Sequence, residues 1–176
     1  MSKFRSIFPR FTTRTLTAVA LLTALEIVLS RFLSISMWNT KIGFSFLPIA
    51  AAGILYGPLA AGAVGALGDF IGAILFPIGA YFPGFTLTAF LTGLVFGFFL
   101  YKKQGWIRIF SAVGINQLIL SLLLNTLWIS VLYGSAYRPL LISRLPQTAI
   151  LIAVQLVCIP AAAKAIARYG KKASVS

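Results

Sequence analysis

Histidine is absent from this 176-residue chain, Cys158 is its single cysteine, and Glu26 and Asp69 are its two acids. Each scarcity removes a class of chemistry. A thiolate metal cluster, an internal disulfide, a Cys-His pair and a Ser-His-Asp triad all lack their parts. A lone cysteine in an apolar run reads as a small hydrophobe. No G-xxxx-GK[ST] loop occurs either: "YGKKAS" near the C-terminus has a glycine and two lysines without the spacing that cradles phosphate. The expectation is a non-catalytic chain with no metal, no cofactor and no ATP site of its own.

What the chain has in abundance is apolar surface. Hydrophobic residues make up 60%, charged residues 10%, and the mean hydropathy is +0.99. Such values exclude a soluble domain and specify an integral membrane protein. The length predicts a single domain over residues 1–176. The net charge of +13 comes from cations at the edges of apolar segments, not from a basic stripe interleaved with aromatics. The bilayer is therefore the expected partner, and nucleic acid is not.

A spanning helix needs about 20 apolar residues. Apolar runs broken by Gly, Pro or charge predict an all-α protein of six transmembrane helices, at 14–33, 44–56, 58–76, 83–101, 108–133 and 146–165. The second is short and meets the third at "YGPLA", where Gly57 and Pro58 make a tight turn, so it is read as tilted or shielded. The first follows basic residues but is long, carries Glu26 and has no small-residue cleavage pattern in "SRFLSISMW". It is read as a retained helix and not as a signal peptide.

Six spans place both termini on one side. Lys3, Arg5, Arg10, Arg14, Lys102, Lys103, Arg108, Lys164, Arg168, Lys171 and Lys172 collect there, against Arg31, Lys41, Arg138 and Arg144 opposite. The excess puts both termini in the cytoplasm. Three external loops remain: "SISMWNTKIG", "PIGAYFPGF" and "GSAYRPLLISRLPQ".

The external cations read in two ways. They are interfacial anchors, or they join Trp38, Phe44, Tyr81, Phe82, Phe85, Trp128, Tyr133 and Tyr137 in an anion-attracting cavity open to the extracellular side, with flat apolar walls. Asp69 lies about 10 Å below that surface by helix rise, where an ionised carboxylate must be paired or face water. It reads as the partner of an arginine or a neighbouring helix, or as an acceptor for a ligand with adjacent N–H donors. Glu26 reads as structural, because no second acid accompanies it in a proton relay. Asn116, Gln117, Asn125, Thr126 and Gln155 are explained mostly by interhelical hydrogen bonds. Among them Asn125 and Thr126, with Trp128 nearby, are the preferred pocket candidates. Ala61, Gly65, Gly68 and Gly72 permit close helix approach, and Ala20 and Ala24 give the first helix a flat A-xxx-A surface.

The stretches "SRFLSI", "KIGFSFLPIA", "GALGDFIGAILFPIGAYFPGFTLTAFLTGL" and "LNTLWISVLYG" resemble the folate-family substrate-binding subunits (S components) of energy-coupling factor (ECF) transporters. The similarity runs from about Arg31 to Arg144 and is dense over 42–100. It implies a six-helix subunit of a prokaryotic plasma membrane that captures folate from outside. Such a subunit works with a membrane-embedded coupling (T) subunit and two cytoplasmic ATPases, and topples in the bilayer during transport. The resemblance implies that Ala20 and Ala24 contact the coupling subunit. In the cavity, Asp69 would accept from the pterin, while Phe44, Tyr81, Phe82, Phe85 and Trp128 sandwich the rings. Arg31, Lys41 and Arg144 would hold the glutamate near the mouth, and "PIGAYFPGF" and "SISMWNTKIG" would cover the ligand. Two other readings stay open: an S component for another flat anionic vitamin, and a stand-alone ion-coupled carrier. The carrier would ordinarily show more intramembrane ionisable residues than Glu26 and Asp69 supply.

Overall fold

The computed structural model of the chain describes residues 13–36 and 41–173. Helices dominate: α1 (Thr13–Arg31), α2 (Phe46–Tyr56), α3 (Pro58–Leu75), α4 (Pro83–Leu100), α5 (Trp106–Gly114), α6 (Asn125–Tyr133) and α7 (Tyr137–Ala173). A π-helical segment, Ile115–Leu124, joins α5 to α6, so that one rod runs from Trp106 to Tyr133. Pro58 and Pro83 open α3 and α4, at positions where a missing N–H removes no helical bond. Gly57, with φ 85°, turns the chain between α2 and α3 in a conformation that side chains rarely adopt.

Among the described residues, α3, α4, the Trp106–Tyr133 rod and Tyr137–Arg168 of α7 are long and apolar enough to cross a membrane. The 11 residues of α2 reach only about 17 Å. In α1, Arg14, Glu26 and Arg31 interrupt the apolar run. Large apolar side chains such as Leu21, Ile107, Ile142 and Val157 stand exposed around the helices. Hydrocarbon accommodates such a surface and water does not. The chain is a predominantly helical, multi-pass membrane protein.

Two expected loops are ordered differently. Within "SISMWNTKIG", strand β1 (Ser34–Ser36) pairs antiparallel with β2 (Lys41–Gly43), setting Ser34 opposite Gly43 and Ser36 opposite Lys41. Trp38 falls between the strands and, like Lys3, Arg5 and Arg10, lies outside the described residues. The stretch "GSAYRPLLISRLPQ" is mostly helix: α7 begins at Tyr137 instead of 146 and contains both Pro146 and Pro160. Pro139 sits in its first turn, where the ring presets helical φ and no donor is needed. Arg144 is consequently a helical residue and not a loop residue.

The tightly packed core fills one end of the helices. Ala60, Ala61 and Val64 from the start of α3 meet Phe96 and Leu100 from the end of α4, Ala112 and Val113 of α5, and Ile159 and Ala163 from the second half of α7. A Cβ added to Gly93 would strike the Ala61 carbonyl, and one added to Gly97 would strike the Pro58 backbone. Backbones thus touch directly at this end, as small residues allow in lipid. At the other end the same helices part around a cavity.

Candidate substrate-binding site

The cavity holds about 570 Å³, the size of a small-molecule site. Its rim is formed by Ile78, Gly79, Ala80 and Tyr81, between α3 and α4, and by Tyr133 at the end of α6. Just inside, Arg31 ends α1, where a cation also suits the helix C-terminus. Its Nη2 lies 3.8 Å from Asp69 Oδ1 and donates to the Asp69 carbonyl at 3.3 Å. Thr86 Oγ1 donates to Asp69 Oδ2 at 2.8 Å, and the Tyr81 hydroxyl lies 3.2 Å from Thr86 Oγ1. Since the Thr86 proton points at the carboxylate, Tyr81 is the donor to Thr86.

Small residues of α3 make room for this arrangement. A Cβ on Gly72 would come within 2.8 Å of Arg31 Nε, and one on Gly68 would strike Glu26 Oε2. Side chains from α1 therefore lie flat against α3 instead of pointing to lipid. The two side chains of the Arg31–Asp69 pair are 9% and 25% exposed, so Asp69 is both an arginine partner and a cavity-lining group.

One wall is aromatic. Phe85 faces the cavity. Phe82 packs edge-on against Phe85 at 6.2 Å and at a tilt against Trp128 at 5.5 Å, behind that wall. Trp128 Nε1 donates to Thr88 Oγ1 at 3.0 Å, and Thr88 donates in turn to the Gly84 carbonyl at 2.9 Å. This chain locks α6 to α4.

The opposite wall is polar. Arg144, Gln147, Leu151 and Gln155 form one face of α7 toward the cavity, and Asn116, Gln117, Ser121 and Asn125 face them from the π-helical segment and α6. The wider π turn lets the consecutive residues Asn116 and Gln117 both reach the same space. Arg144, Asn116, Gln117 and Gln155 are at most 5% exposed. Arg144 Nε and Nη1, both side-chain amide atoms of Asn116, and the amide oxygens of Gln117, Asn125 and Gln155 have no hydrogen-bond partner among the described residues.

A family model described as "ECF-type riboflavin transporter, S component" matches residues 10–168. The folate transporter FolT of Clostridium novyi (strain NT) is 43% identical over 151 residues, 85% of this chain and 88% of the relative. The folate transporter FolT of Leuconostoc mesenteroides subsp. mesenteroides is 35% identical over 133 residues, covering 74% of this chain and 71% of the relative. A solved structure described as FolT bound with folic acid superposes with a TM-score of 0.80 at 35% identity, over 84% of this chain and 91% of that one. The chain belongs to the S components of ECF-type transporters.

In this S component the structure brings Arg31, Asp69, Tyr81, Phe85, Asn125 and Arg144 to one cavity. Phe82 and Trp128 support its aromatic wall from behind. Phe44 lies half-exposed outside it, 6.3 Å from the ring of Phe46, and Phe46 takes the cavity position. The backbone of Lys41 is in β2, two residues before the cavity-lining Gly43, while its side chain falls outside the description. Ala20 and Ala24 are exposed on α1. Arg144, expected in an external loop, is instead carried on α7 and buried in the cavity wall. Sequence reading assigned Asn116, Gln117 and Gln155 to helix–helix bonds. For Gln155 the signal was the four-residue spacing of Gln147, Leu151 and Gln155, which marks one helical face; no comparable spacing marks Asn116 and Gln117.

Proposed function

We propose that this S component captures folate from the extracellular side and delivers it by associating with a membrane-embedded coupling subunit and two ATPases. One observation carries the reading: the chain follows, over most of its length, the fold of a FolT that was solved with folic acid bound. The side-chain chemistry supports it. Folate carries a flat heterocycle, an aminobenzoyl ring and a glutamate with two carboxylates. Arg144 offers a buried guanidinium with unused N–H donors, and such a fork suits a carboxylate. Tyr81 and Phe85 provide flat apolar contact for the rings. Asp69, engaged by Arg31 and Thr86, acts by holding Arg31 toward the same carboxylates. Lys41 adds a point charge from the hairpin.

The six-span topology, with both termini in the cytoplasm, rests on the excess of cations at that end. It directs the cavity outward. Ala20 and Ala24, facing out from α1, are available to the coupling subunit, and ATP hydrolysis is supplied by the partner ATPases.

A second reading follows from the description of the matching family model, riboflavin capture. Riboflavin has no carboxylate and leaves Arg144 unanswered. Equilibrium binding of both vitamins to the detergent-purified chain decides between them: saturable folate binding with no competition by riboflavin is expected, and the reverse preference overturns the proposal. Uptake into liposomes by the chain alone would instead indicate an ion-coupled carrier.

A further inference from the structure

We infer that the corner where α4 turns into α5 is a seat for one anionic phospholipid, with its phosphate on Arg108 and an acyl chain in the groove beside it. The seat lies at the end of the helices opposite the cavity and does not depend on what the cavity binds.

A recess of about 300 Å³ runs between the end of α4 and the start of α5, lined by Phe98, Phe99, Ile107, Arg108 and Ser111. Its apolar walls are open, Ile107 being 80% exposed. On helices that cross lipid, acyl chains cover such a surface, and a recess gives one of them a fixed place. Arg108 closes one side. Its Nη1 donates a long hydrogen bond, 3.5 Å, to the Phe99 carbonyl, which ties the guanidinium to the α4 side of the groove. A guanidinium has further N–H groups in a planar fork that suits a phosphate.

Charge complementarity names the occupant. Lys102 and Lys103, both exposed, lie in the connector between the two helices. The Lys102 ammonium sits 5.0 Å from the centre of the Tyr101 ring, a pairing of cation and aromatic face that suits a membrane surface. Lys102 also takes φ 61°, a left-handed conformation that glycine adopts freely and lysine does not. The turn thus carries a cation where the backbone alone would favour glycine. Both acids of the chain, Glu26 and Asp69, line the cavity at the other end, so neither side-chain carboxylate neutralises the three cations. Trp106, exposed at the start of the rod, marks this level as the interface. A zwitterionic headgroup brings its own ammonium and gains little here. An anionic one meets three cations, each contributing about fivefold to retention.

Native mass spectrometry of the full-length chain in detergent, titrated with dioleoylphosphatidylglycerol or dioleoylphosphatidylcholine, tests the seat. One phosphatidylglycerol should be retained at least about tenfold more tightly than phosphatidylcholine. Arg108→Gln and Lys103→Gln should each weaken it about fivefold. Ser111→Phe, which fills the groove and keeps every cation, should weaken it at least as much. Replacing the exposed α7 cations toward the same end, Lys164→Gln with Arg168→Gln, should leave this lipid in place. Where Arg108→Gln fails to fold, the connector variant Lys103→Gln decides the matter. Equal retention of the two lipids, an equal loss from the α7 pair, or no loss in Ser111→Phe would each overturn the seat. So would displacement of the lipid by inorganic phosphate, which marks a bare anion site, or by dimerisation seen in light scattering, which gives the groove to a second copy.

Discussion

Trp128 donates from Nε1 to Thr88 Oγ1 at 3.0 Å, bridging α6 and α4 while its ring packs against Phe82. The bond passes through a hydroxyl that is itself donating to Gly84, so one indole fixes both the aromatic wall and the start of α4. Trp128→Phe keeps ring contact and removes the donor. It should cost about 1 kcal/mol of stability and weaken folate several-fold, since the bond that ties α6 and its ring to α4 behind the aromatic wall is lost. Thermal unfolding and binding on the same preparation check both effects; a variant equal to the parent in both would show the bond to be dispensable.

Arg31 and Asp69 are expected to act as a unit. Asp69→Asn removes the countercharge and one acceptor of Thr86, and should weaken folate about tenfold. Arg31→Gln should weaken it at least as much. In the double variant the losses should fall short of their sum, as neighbours sharing an interaction do. Strict additivity in a double-mutant binding cycle would separate the two residues functionally.

Arg144 is a buried cation with unused donors facing the cavity. Its replacement by Met should reduce folate affinity by about 100-fold, the scale of a charge-assisted hydrogen-bonded pair. Stability without ligand should hold or rise, because desolvation of an unpaired charge is relieved. Arg144→Lys should recover only part of the affinity, a point charge lacking the two-pronged geometry. Isothermal titration and unfolding temperatures distinguish this from a helix-packing role, in which stability would drop with affinity.

Glycines of α4 and the loop after it should respond oppositely to alanine. Gly93→Ala drives a methyl into the Ala61 carbonyl, a backbone atom that cannot step aside, and should cost about 1–3 kcal/mol or more. Gly105 has open space around its Cβ position, and Gly105→Ala should unfold within a degree or two of the parent. Similar melting temperatures for the two would contradict the backbone contact between α3 and α4.

Much of this arrangement is legible in the sequence because lipid imposes simple rules. Apolar runs, Pro58 and Pro83 mark where helices start, and the small residues of α3 announce close approach. Asp69 stands out because an acid in such a run needs a partner. What escapes is set by three-dimensional context. Pro146 reads as the first residue of the sixth helix, yet α7 begins at Tyr137 and runs through it, so Arg144 moves from an expected loop into the cavity wall. Asn116 and Gln117 are adjacent in sequence and in an α-helix would diverge by about 100°; the wider π turn narrows that divergence, and both line the cavity. Phe44 and Phe46 carry the same ring two residues apart, and the turn at Ser45 decides which one lines the cavity.

The contact of Gly93 with Ala61 also governs how the protein yields. Where two backbones already touch, neither helix can advance or rotate without collision, so α3 and α4 present the arriving vitamin with an unyielding anvil. All accommodation must come from the amide-bearing side, and bulky additions to a ligand will be refused on one flank and tolerated on the other.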